Sequence, residues 1–147
     1  MKLSPRFKTL LYSVCAGTYA GGAIWWAYDR FIRVEGVLGP EHHPAQHWWI
    51  RIHAVFAYAL LIALGYLIKI HIEPGLRGSR RKKSGLTLLS SLALLILSAF
   101  PVLYAMEGPF RSGSAWIHTY LGLGCPLLLV IHLQSKIRAR QRPVQHS

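Results

Sequence analysis

The stretch "HWWIRIHAVFAYALLIALGYLIKIHIE", His47 to Glu73, is an apolar run closed at each end by histidine and charge. Its centre, Ala54 to Ile68, contains no charged residue and no histidine. Drawn from about Trp48 to Ile72, it covers the roughly 20 residues that a helical bilayer crossing needs. Working outward, three more such runs can be drawn: Thr9 to Tyr28, Ser84 to Met106 and Ser112 to Ser135. Backbone polar groups in lipid must be satisfied within the segment, so each run is expected to be a helix. Short connections between four spans make an up-down bundle the economical fold. The expectation is therefore all-α: one integral-membrane four-helix domain over residues 1–147, with spans at about 9–28, 48–72, 84–106 and 112–135.

The charge supports this reading. The 147 residues carry a net charge of +12, yet they are 52% hydrophobic. The basic residues cluster between the apolar runs, unlike those of a soluble nucleic-acid binder. Lys2, Arg6 and Lys8 precede the first run; Arg77, Arg80, Arg81, Lys82 and Lys83 fill the connection after the second. Lys136, Arg138, Arg140 and Arg142 follow the fourth. Positive segments stay in the cytoplasm, so both termini are expected inside. The net charge is then explained by anionic lipid headgroups, and no nucleic acid is expected. The first run is not read as a cleavable signal: it is longer than a signal core and ends in Trp25, Trp26 and Tyr28.

Cys15 and Cys125 lie inside runs and form no C-x-x-C-H; they read as packed thiols, or as a disulfide if the first and fourth helices meet at that depth. The long connection from Asp29 to His47 carries Gly36, Gly39, Pro40 and Pro44, which suggests irregular structure and a possible docking surface. The segment after Ile72, "EPGLRGSRRKKSG", reads as turn chemistry with anchoring charge, and the C-terminal "SKIRARQRPVQHS" as a frayed basic tail. Gly17 and Gly21 form a G-x-x-x-G in the first run; Gly122 and Gly124 lie in the fourth. Such glycines serve close helix packing, or they leave room for a flat cofactor.

Histidine in a membrane segment is costly and marks function by default. His53 and His71 bracket the second run, and His118 and His132 the fourth; the first and third have none. On a continuous α-helix, His53 and His71 lie five turns apart and share a face, whereas His118 and His132 lie about four turns apart with a lag of roughly 40°. Both helices are expected to run from outside to inside, which puts His53 level with His118, and His71 level with His132. The match is imperfect, because the rise is roughly 27 Å on one helix and 21 Å on the other. Two imidazoles per level meet the need of a porphyrin iron for two axial nitrogens. Two levels would give two haems and an electron path across the bilayer. The plainer reading of each histidine is hydrogen-bonded packing or an interfacial position.

The segments "HWWIRIH" and "KIH" on the second run, with "WIH" and "VIH" on the fourth, make the chain resemble the small four-helix membrane cytochromes b of bacteria. These are akin to the di-haem b subunits of dehydrogenases and to the four-helix core of bc-complex cytochrome b. The resemblance covers nearly the whole chain, although its motifs are short, and the unequal histidine spacing departs from the bc pattern. It implies His53 and His118 as axial ligands of an outer haem b, and His71 and His132 as those of an inner one. It implies ring clearance at Gly17 and Gly21, and propionate contacts from Arg51, Arg33 and Arg111 outside and from Lys69 and Arg77 inside. Snorkelling at the interface is the other reading of those cations. It also implies a multi-pass place in the bacterial inner membrane, with a quinone pool and a periplasmic c-type cytochrome or other redox subunit as partners. The chain would be an electron-transfer subunit of an oxidoreductase complex rather than a stand-alone enzyme.

His42, His43 and His47 are expected outside the bilayer, as loop imidazoles, as proton-handling groups beside Glu41 at an outer quinol site, or as contacts to a partner's haem. Trp48 and Trp49 fit an aromatic belt. Two other functions stay open at this point: a structural membrane anchor for a larger complex, without its own haem, and a component of metal or proton transport.

Overall fold

A computed structural model of the chain describes residues 3–37, 39–78 and 83–140, the side chains of 78 and 136–140 excepted. Lys2, Arg80, Arg81, Lys82 and Arg142, which helped to set the expected topology, lie outside the described residues, as do the side chains of Lys136, Arg138 and Arg140. The described structure is helical apart from one small β-hairpin and short connections. The helices are α1 (Pro5–Phe31), α2 (Gln46–Leu67), α3 (Glu73–Gly78), α4 (Lys83–Tyr104) and α5 (Pro109–Arg140). A π-helical turn, Ile68–Ile72, joins α2 to α3. The described helices gather into two compact units, Met1–Arg77 and Gly78–Ser147. Each unit is an antiparallel helical hairpin and is described by itself.

Three helical segments are long and apolar enough to cross a membrane: Gln46–Arg77, Lys83–Tyr104 and Pro109–Ser135. The expected first span is the exception. At 27 residues α1 has the length, but Gly17, Gly21, Gly22, Ser13 and Thr18, with Tyr12, Tyr19, Trp25 and Trp26, dilute its aliphatic content. Its start is well specified. Pro5 stands in the first turn, where no N–H is needed, and the Ser4 hydroxyl accepts from the Phe7 N–H at 3.2 Å.

Large apolar side chains lie exposed along the helices. Among the described residues, the buried apolar side chains are Val14, Ala63 and Leu67, and the buried polar ones are Gln46, Ser98 and Ser114. Ile62 and Phe100 are 77% and 68% exposed. Water would penalise such a surface at about 25 cal/mol per Å², and lipid would not.

Two connections differ from expectation. Two strands, β1 (Arg33–Gly36) and β2 (Gly39–His42), pair as an antiparallel hairpin rather than irregular chain. Gly36 pairs with Gly39 to close it, and Gly39 takes φ +120°, a conformation open to glycine at little cost. Pro40 is tolerated because both strands are edges. Past Ile72 the chain continues as helix through Glu73–Gly78 instead of turning at once. Pro74 has no N–H for the Ile70 carbonyl and its ring crowds that carbonyl. The preceding turn widens, and the Glu73 N–H bonds to Ile68 O, five residues back. The C-terminal segment, expected to fray, is helical as far as Arg140.

Candidate functional site

In the first unit the register runs from Asp29 beside Gln46, through Thr18 beside His53, to Phe7 against Tyr66. Glycine sets the spacing at the middle. A Cβ on Gly21 would lie 2.9 Å from the His53 backbone nitrogen, and one on Gly22 would lie 2.9 Å from His53 Nδ1. A Cβ on Gly17 would enter the Phe56 ring at 2.6 Å. Protein atoms thus fill the space over Gly17 and Gly21, as the packing reading of the G-x-x-x-G requires. This close approach brings His53 Nδ1 to 2.8 Å from the Thr18 carbonyl oxygen. A carbonyl has no proton to give, so Nδ1–H is the donor. The neutral ring then carries its lone pair on Nε2.

The second unit repeats this device. His118 Nδ1 lies 3.0 Å from the Leu95 carbonyl oxygen, so here too Nδ1–H donates. Ser98 Oγ stands 3.2 Å from the same nitrogen and donates its own proton to Leu95 O at 3.1 Å. Farther along, His132 Nδ1 is 3.4 Å from Ser84 Oγ, which also meets Ser135 Oγ at 3.0 Å. Gly85 admits the His132 ring, whose Cε1 would stand 3.4 Å from an added Cβ. Each neutral hydrogen bond contributes about 0.5–1.5 kcal/mol net, and leaving a buried imidazole N–H without one would cost more.

His71 is placed differently. It lies in the π turn, five residues beyond Tyr66. By the register, it stands past Pro5, the first residue of α1. An i→i+5 turn also consumes one extra residue, so eighteen residues no longer make five turns. The shared face expected for His53 and His71 is offset by up to about 100°, and the axial gap shrinks by only about 1.5 Å.

The cations expected near propionates have protein neighbours. The Arg111 Nε–H donates to Val102 O at 3.1 Å, satisfying a carbonyl in the last turn of α4, and its Nη1 is 3.7 Å from Glu107. Arg51 lies over the Trp48 ring at 5.0 Å, a cation–π contact. Arg33 donates to the Asp29 carbonyl at 3.0 Å and approaches its carboxylate at 3.7 Å. Arg77 pairs with Glu73 one helical turn back. Lys69 lies in the π turn.

The loop histidines gather around the end of α1. His42 Nδ1 is 3.6 Å from Asp29 Oδ1, and His43 packs on Tyr28 while its Nδ1 accepts from the Ala45 N–H at 3.0 Å. His47 lies against Trp48. Asp29, at the helix end where an anion is least welcome, is compensated by Arg30 and Arg33, and it receives the Gln46 amide at 3.4 Å. Neither Cys15 nor Cys125 forms a disulfide.

Sequence reasoning did not single out Ser84, Ser98, Ser135 or the Thr18 and Leu95 carbonyls. One signal was present. Ser84 and Ser98 are spaced as His118 and His132 are, so an antiparallel pairing sets each serine beside a histidine.

Among the described residues no three His, Cys, Asp or Glu side chains form a metal-binding group; an axial haem set needs only two imidazoles. Comparison with known protein families, with curated proteins and with solved structures finds no match for the chain.

Proposed function

We propose that this chain is a membrane b-type cytochrome that carries electrons across the bilayer. Its axial ligands are those that the resemblance implies, His53 with His118 and His71 with His132. The single observation that supports this most is the repeated device at His53 and His118. In each hairpin a main-chain carbonyl of the first helix holds Nδ1–H of a histidine on the second, at 2.8 and 3.0 Å. That is the arrangement by which proteins orient a ligating imidazole and raise its basicity. Haem b supplies a reversible one-electron couple when bound; the chain's own residues present Nε2 and fix the ring plane. His132 is supported by Ser84. His71 has the least support, because the π turn breaks its register with His53.

In this reading α1 crosses the bilayer beside α2, and both termini and the α2–α4 connection are cytoplasmic. The membrane is a bacterial inner membrane. A quinone pool and an outer c-type cytochrome or other redox subunit are the partners. A structural anchor without haem is the second reading, because the same hydrogen bonds satisfy a packing histidine.

Reduced-minus-oxidised absorption spectra separate the two readings. His53→Ala and His118→Ala should each remove the same component of the α-band, and the double variant nothing further. Spectra that none of the four histidine substitutions alters would leave the anchor reading standing.

A further inference from the structure

Ser98 is 6% exposed and follows the apolar run Leu92–Leu97 of α4. Its hydroxyl proton is committed to Leu95 O at 3.1 Å. An oxygen lone pair therefore faces His118 Nδ1 at 3.2 Å. The Nδ1–H, already directed at Leu95 O, is shared between two acceptors. Each acceptor draws the proton away from the ring and makes Nε2 a stronger donor. The His53 Nδ1–H is directed at the Thr18 carbonyl.

We propose that Ser98 is a positioning residue for His118 that lowers the reduction potential of the haem His118 ligates. This rests on the cytochrome reading above. A more basic Nε2 stabilises Fe(III) over Fe(II), so removing the hydroxyl raises the potential. The Leu95 carbonyl remains to orient the ring, so haem stays bound.

The test uses the full chain purified in detergent with its haem, as wild type, Ser98→Ala and Ser98→Thr. Spectroelectrochemical titration and the low-spin ferric resonance are the readouts. Ser98→Ala should change the Fe(III)/Fe(II) ratio of one haem on the order of threefold at fixed potential. At 59 mV per tenfold for one electron, that is a positive shift of about 30 mV. The second haem should not move, and Ser98→Thr, which keeps the hydroxyl, should stay at the wild-type value. Haem lost from Ser98→Ala but kept by Ser98→Thr overturns the role, because the Leu95 carbonyl would then not suffice to hold the ring. An unmoved potential in Ser98→Ala overturns it, as do equal shifts in both haems, a Thr variant that shifts as far as Ala, or haem lost from both variants. Wild-type protein without haem overturns the functional reading and this role together; loaded protein with unmoved potentials overturns only the role of Ser98.

Discussion

Gly21→Ala is a direct probe of the close approach that carries His53 to the Thr18 carbonyl. The new methyl would sit 2.9 Å from the His53 nitrogen and 3.0 Å from its Cα, both backbone atoms that no rotamer change can move. Carbon contacts settle at about 3.5–4.0 Å, so the helices must part by roughly 0.5–1 Å. Overpacking of this kind costs about 1–3 kcal/mol. Parting the helices also stretches the 2.8 Å bond from His53 to Thr18 O, with a loss of about 0.5–1.5 kcal/mol. Replacing glycine in a helix interior returns about 1 kcal/mol. The balance is a destabilisation of about 0.5–3.5 kcal/mol. Gly65→Ala is the control, because an added Cβ there meets nothing within 4 Å; that variant should be neutral or gain up to about 1 kcal/mol. Thermal unfolding of both variants in one detergent is the assay. Gly21→Ala as stable as Gly65→Ala would refute the packing of α1 on α2 at this level.

Three further outcomes follow. Arg111→Met should destabilise the second unit by about 1 kcal/mol through loss of the bond to Val102 O, and Arg111→Gln, which can still donate there, should recover part of it; chemical denaturation reads both. Ser84→Ala should cost about 1 kcal/mol by removing the hydroxyl that joins His132 to Ser135, and should raise amide hydrogen exchange at the start of α4, with no change in the first unit. Reporter fusions after His43 and Phe110 should report an outer location, and fusions after Arg81 and at Ser147 the cytoplasm; an outward C-terminus would invert the outer and inner assignments.

The long helices were legible because apolar runs bounded by charge admit few alternatives in lipid. What the letters hid was chiefly main-chain behaviour. The Thr18 and Leu95 carbonyls that hold His53 and His118 belong to the backbone, and no residue type announces them. The π turn before Pro74 was invisible to a count that assumed 3.6 residues per turn, and it undid the alignment of His71 with His53. The β-hairpin was masked by its own glycines and Pro40, which read as breakers but serve the turn and an edge strand. Charge alone could not separate a cation awaiting an anion from a capping residue; Arg111 is held by Val102 O and Glu107. The spacing of Gly17 and Gly21 left helix packing and room for a flat cofactor equally open, and the structure fills the space with Phe56 and His53.

The central claim is that the chain binds haem through its membrane histidines. A pyridine haemochrome assay on the purified chain tests it most directly. The account predicts two haems b per chain, both extracted by acidified acetone because no C-x-x-C-H is present to attach them. One haem per chain would remove the His71–His132 level. Protein that folds into the membrane yet shows no α-band would contradict the account.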